Sequence, residues 1–129
     1  QYFTAAELVE LSDRIDPQQP SPLDYYPLLK PGERFPLNDP HLAPRLTPRP
    51  DDPATFLHGL LESIARIEHQ GYTRLYKHGA PWPTQIFTAG GGAQNSVWRA
   101  IRHRYLQVPM TNPWHHQAAY GTALLAMDP

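Results

Sequence analysis

The chain has 129 residues, a net charge of −1 at pH 7, sixteen prolines and no cysteine, which allows one core and is too short for two ordinary domains. Its basic residues are scattered, so nucleic acid and an anionic membrane surface are excluded as expected partners, and no apolar run approaches the roughly 20 residues that span a bilayer. No charged-then-apolar signal order opens the chain, and the absence of thiols rules out a disulfide framework or thiolate chemistry, so a cytoplasmic location is expected.

Thr4-Ala5-Ala6-Glu7 has the form of a capping box, and Leu8, Leu11 and Ile15 follow at helical spacing up to Asp16-Pro17, which predicts a helix over 4–15. Residues 17–52 are rich in proline, which removes backbone donors and forbids regular helix or central strand. Leu23, Tyr25, Tyr26, Leu28, Leu29, Phe35 and Leu37 give this stretch apolar anchors. It is therefore expected to be an ordered loop rather than a solvated linker. Pro53 is a good first helical residue, Phe56, Leu60, Ile64 and Ile67 repeat after it, and Gly71 closes the predicted helix at about residue 70.

Residues 85–129 read as strand, helix, strand, helix: Gln85–Ala89, 94–105, Leu106–Met110 and 116–127. Such alternation predicts an α/β layer with neighbouring parallel strands, the second of them shortened or placed at an edge by Pro109. The small residues Ala118, Ala119, Gly121, Thr122 and Ala123 suit tight packing of the last helix. Two or three strands make a poor sheet on their own, so the chain is expected to be one piece of a larger protein. Apolar surface left open in such a piece would favour self-association.

Gly90, Gly91 and Gly92 stand where the first strand gives way to a helix. Without Cβ atoms the backbone can take positive φ and approach a ligand, and the unpaired amides of the helix start can donate to phosphate or ribose oxygens. Asn95 and Trp98, one turn apart, add an amide and an indole to the same surface. The alternative is structural: a tight helix-on-sheet turn in which Asn95 caps the helix and Trp98 belongs to the core.

Four ordered segments resemble the C-terminal domain of the FGGY carbohydrate kinases, of the actin-like ATPase superfamily. They are Gly32-Glu33-Arg34-Phe35-Pro36 with Asp39-Pro40, the helix from Phe56 to Ala65, the run from Gly90 to Trp98, and the run from Gln117 to Ala126. The wording of Leu23 to Leu28 is most similar to ribulokinase- and xylulokinase-like members. The resemblance implies that 1–129 is a fragment of that C-terminal domain, a partial ribonuclease H-like fold, with ATP held in a cleft against an N-terminal domain. It implies that Gly90, Gly91 and Gly92 approach the adenosine and its phosphates, that Asn95 bonds adenine or ribose, and that Trp98 lies against the purine. Mg²⁺ and a small ketose, a xylulose or ribulose, would be held mainly by the N-terminal domain, whose phosphate loop and catalytic aspartate have no counterpart here. On that reading the fragment alone is not catalytic, and none of Asp51, Asp52 or Glu62 is assigned as a base. Gln117 replaces the usual Glu of the last segment. The rival readings are a catalytically inactive actin-like module that binds nucleotide or protein, and a piece of a dinucleotide-binding domain, which lacks the acidic residue expected about 20 residues after the glycines.

Four other groups are open to a structural or a chemical reading. His58 and Glu62 form either an acid–base pair or an ordinary i,i+4 contact. Arg99, Arg102, His103 and Arg104 make a basic face late in their helix, favourable to its dipole. Glu33 and Arg34 are expected to order the proline-rich loop by pairing, and the adjacent His115 and His116 do not share a face, which disfavours a metal site.

Overall fold

The computed structural model describes residues 2–113 and 118–127. Helix α1 spans Ala5–Ser12, and both halves of its capping box form: Thr4 Oγ1 accepts from the Glu7 amide at 3.3 Å while Glu7 Oε2 accepts from the Thr4 amide at 2.7 Å. Ile15 lies beyond the helix yet is buried, carried inward by a turn in which the Ile15 amide bonds Ser12 O.

Helix α2 spans Pro53–Lys77, seven residues past the predicted end at 70. Gly71 does not stop it, because a helical glycine costs only about 1 kcal/mol relative to alanine. Its small size serves packing instead: a Cβ there would lie 2.9 Å from Phe35 Cε1. The helix ends at Gly79, whose φ of 95° allows the Gly79 amide to bond Tyr76 O and the Ala80 amide to bond Leu75 O. That pair of bonds is a Schellman closure.

α2 is the central element, packed against both α1 and α3, Ser96–Leu106. Leu11, Ile15, Ala54 and Leu57 form one core cluster, and Tyr25, Phe56 and Leu60 a second. Ile64, expected on the buried stripe, is 40% exposed, whereas Glu62 and Ser63 are fully buried. The stripe is thus interrupted by two polar residues, each of which has partners.

The proline-rich loop lies along α2. Ser63 Oγ accepts from the Tyr25 amide at 2.8 Å, Tyr25 donates its hydroxyl to Pro48 O at 2.6 Å, and Arg66 donates to Leu23 O at 2.8 Å. Gly59 makes this approach possible, since a Cβ there would come within 2.7 Å of the Tyr25 ring. Burial and the neighbouring Glu33 push the Tyr26 hydroxyl up from its ordinary range, in that order, and Arg74 opposes them. Of the expected anchors Leu29 is fully exposed and Phe35 half-exposed, so the loop is fixed chiefly through Tyr25 and Tyr26. Glu33 does not pair with the Arg34 guanidinium. Its Oε1 instead accepts from the Arg34 amide at 2.8 Å, while Glu33 and Asp39 bridge through their backbones.

Strands β1, Ile86–Phe87, and β2, Met110–Thr111, pair in parallel with Ile86 opposite Met110 and Phe87 opposite Thr111. α3 is the crossover between them. β2 starts later than predicted because Leu106 is the last residue of α3, and Gln107, at φ 55°, closes that helix in the left-handed region. A short apolar run beside a helix cannot be told from its last turn by periodicity. Ile86, Leu106 and Val108 then form a third core cluster, with Tyr72 and Trp82 packed against it. Helix α4 spans Ala118–Met127. Its described side chains Ala119, Thr122 and Ala123 are exposed. His115, His116 and Gln117 lie outside the described residues.

Candidate functional site

The glycine turn leaves the C-terminal end of β1, the end at which parallel α/β layers receive ligands. Backbone pairing extends one residue past the strand, since the Thr88 amide bonds Thr111 O at 3.1 Å. Gly90 then takes φ 77° and ψ −168°, a conformation open essentially to glycine alone. Gly91–Gln94 form a single 3-10 turn rather than the start of α3, correcting the predicted helix start at 94. The first bond of that turn runs from the Ala93 amide to Gly90 O, so the Gly91 and Gly92 amides stand ahead of it. A Cβ at Gly90 or Gly91 would meet nothing within 4 Å. The requirement for glycine is therefore conformational at Gly90, and the backbone there is open to an approaching molecule.

Asn95 is the N-cap of α3: its Oδ1 accepts from the Trp98 amide at 2.9 Å. Its Nδ2 donates to Ser12 Oγ at 2.8 Å, tying the turn to α1 across 83 residues of sequence. The capping alternative is thus realised, and one Nδ2 proton remains beyond the bond to Ser12. Trp98 is half-buried rather than core, and an ideal Cβ on Gly92 would lie 3.4 Å from its Cδ1 and Nε1. The structure brings Gly90, Gly91, Gly92, Asn95 and Trp98 together in one short turn.

The basic face of α3 is taken up by structural pairings. Arg99 donates to Asn112 Oδ1 at 2.8 Å, and His103 Nδ1 lies 3.0 Å from Val108 O. Arg102 holds Glu68 with two bonds of 2.6 Å, and Arg104 pairs with Glu62. Glu62 is enclosed, its second oxygen accepting from the Tyr105 hydroxyl at 2.7 Å. His58 Nε2 lies 3.4 Å from Glu62 Oε1 but without hydrogen-bond geometry. The carboxylate thus joins α2 to α3.

Asp52 is the N-cap of α2. Its Oδ2 accepts from the Thr55 hydroxyl at 2.7 Å and amide at 2.9 Å, and Oδ1 accepts from Arg14 at 2.7 Å. These contacts, the Thr55 hydroxyl first, lower its carboxyl from 3.8 to about 2. It borders a polar cavity of about 170 Å³ lined by Arg14, Gln19 and His58, while an apolar cavity of about 360 Å³ lies between Phe35 and Tyr72. Neither includes the glycine turn. Sequence reasoning missed Ser12, Glu68 and Thr88 as supports of the turn. Their side-chain types carry no local signal, because each acts on a residue distant in the chain.

Taken together, a parallel strand, a positive-φ glycine, a 3-10 turn and a capped helix make one strand-turn-helix unit of an α/β module. The family model for the C-terminal domain of the FGGY family of carbohydrate kinases matches residues 4–127. The chain belongs to that family, and the four segments that resembled it fall within the match. Among the described residues no helix is long and apolar enough to cross a membrane.

Proposed function

We propose that this chain supplies the adenosine-binding surface of an ATP-dependent sugar kinase acting on a small ketose, a xylulose or ribulose. The observation that carries the reading is the glycine turn: Gly90 at φ 77°, open space above Gly90 and Gly91, and the Trp98 indole beside Gly92 at the end of a parallel strand. ATP fits this surface chemically. The Gly91 and Gly92 amides are donors for ribose or phosphate oxygens, the remaining Asn95 N–H is a donor for adenine or ribose, and Trp98 offers a face to a purine. ATP supplies the phosphoryl group, whereas these residues only bind and orient. Mg²⁺, the base and most sugar contacts are assigned to an N-terminal domain of the kinase, because phosphoryl transfer needs both sides of a cleft aligned. The partial ribonuclease H-like character of the fold and the pentulose preference follow from the resemblance, and a cytoplasmic location follows from the composition.

The test is a titration of the chain with MgATP and then MgADP, followed through backbone amide and indole resonances. Shifts confined to Gly90–Trp98 are expected. No response at millimolar nucleotide would overturn the adenosine assignment. We also expect copies to associate through exposed apolar side chains such as Phe87 and Leu29, and a strictly monomeric chain in light scattering at high concentration would count against it.

A further inference from the structure

Arg102 is only 6% exposed, and its guanidinium reaches three separate parts of the molecule. Nε and Nη2 donate to Glu68 Oε2 and Oε1 on α2, both at 2.6 Å. Nη1 donates to Thr88 Oγ1 at 2.5 Å. Its Cζ lies over the Trp98 ring, 5.5 Å from the centroid. Thr88 is two residues ahead of Gly90, and Trp98 lies against Gly92. One planar group therefore links α2, the exit of β1 and the indole that borders the glycine turn.

We propose that Arg102 is a positioning residue that sets the entry and the indole wall of this turn, and through them the shape of the proposed adenosine surface. The guanidinium fork is what suits Arg102 to this role. A guanidinium holds a carboxylate with two parallel bonds in a fixed plane, presents a further N–H to a hydroxyl and lays the same plane over an aromatic ring. A lysine ammonium is a point charge on a flexible stem. It can satisfy Glu68, but it cannot keep Thr88 and Trp98 in register at the same time. A buried ion pair is weak grounds for stability, so orientation is the better account of this one. Arg102 also covers one side of the indole. The consequence for nucleotide binding rests on the proposed function, whereas the positioning itself does not.

The full chain carrying Arg102→Lys tests both. Without nucleotide, the Trp98 indole N–H and the Thr88 and Gly92 amides are expected to move, while resonances of Tyr25 and Phe56 in the other core stay in place. MgATP affinity should fall about three- to tenfold, the loss expected of a disturbed cation–π and hydrogen-bonded support. Glu68→Gln, which keeps Arg102 and nearly the same shape, should displace the same three resonances, and it carries the test if the lysine variant does not fold. Unmoved Trp98 and Gly92 resonances, or changes spread evenly into the Tyr25 core, would overturn the positioning role. Displaced resonances with unchanged MgATP affinity would overturn its link to the site. A wild-type chain that ignores MgATP would sink the adenosine reading alone, since the unliganded resonances still decide the role of Arg102.

Discussion

The loop-on-helix region, residues 21–63, and the strand-turn-helix-strand region, residues 86–111, both contain irregular backbone, and they fix it by opposite means. In the first, a proline-rich chain with few donors of its own is held by another element: Ser63, Arg66 and the gap at Gly59 receive it, and Tyr25 is buried as an anchor. In the second, the bend is set by residues inside it. Gly90 supplies the positive φ, the 3-10 turn bonds to itself, and Asn95 caps the next helix. Distant residues only brace the result, Ser12 through Asn95 and Glu68 through Arg102. A loop held from outside can thus be long and irregular yet well seated, whereas a turn fixed from within can leave its outer surface open.

The largest expected effect breaks the first region alone. Phe56 is 2% exposed and meets the rings of Phe3 and Tyr25, so Phe56→Ala should cost about 3–5 kcal/mol in denaturant unfolding. If the two regions are held independently, the Trp98 indole resonance should barely move in the folded fraction. A large shift there would merge them into one unit. Gly59→Ala attacks the same region by overpacking. The new methyl group would press on Tyr25 and Leu23, at a cost of about 1–3 kcal/mol by the same measurement. A neutral result would show that the loop can lift from α2 and is less firmly seated than its hydrogen bonds indicate.

The same contrast explains what the sequence disclosed. Local chemistry was legible: the capping box at Thr4, Pro53 at the start of α2, and Gly90 with Asn95 in the turn all act on residues within a few positions of themselves. The parallel pairing of β1 and β2 followed from the alternation of elements. What failed was either long-range or dependent on neighbours. Gly71 read as a stop because its contact with Phe35, 36 residues earlier, has no local trace. Leu106 read as strand because the boundary between helix and strand lies at Gln107, a residue type with no special preference for positive φ. Glu62 and the basic face of α3 were each visible as charges, but their pairing across α2 and α3 emerges only once the helices are side by side.

Asn95→Ala sharpens the comparison from the other side. It removes both the cap on α3 and the bond to Ser12, and it should cost about 1 kcal/mol, within the range for lost N-caps. Amide exchange should rise at Ser96–Trp98 while the Tyr25 amide keeps its protection. Ser12→Ala leaves the cap and removes only the brace, so it should cost less and leave exchange in the first turn of α3 nearly unchanged. Equal effects of the two variants would mean that the turn is held from outside after all, as the loop is.

The smallest effect concerns acid, and it falls on the loop side at the start of α2. Asp52 has its carboxyl lowered from 3.8 to about 2, by the Thr55 hydroxyl first, then the Thr55 amide and Arg14. Because the folded value lies below the unfolded one, its contribution to stability is complete above about pH 4 and fades as pH falls through about 2. A carboxyl resonance titration should place the Asp52 midpoint near 2, and Thr55→Val and Arg14→Ala should each raise it toward 3.8. Both variants should weaken the acid limb of thermal unfolding between pH 4 and 2, with little change at the glycine turn, where Asn95 performs the corresponding capping with a side chain that does not titrate. If acid instead loosened α3 and α2 together, the charged cap would be supporting both regions, and the division between a loop held from outside and a turn fixed from within would fail at its shared helix.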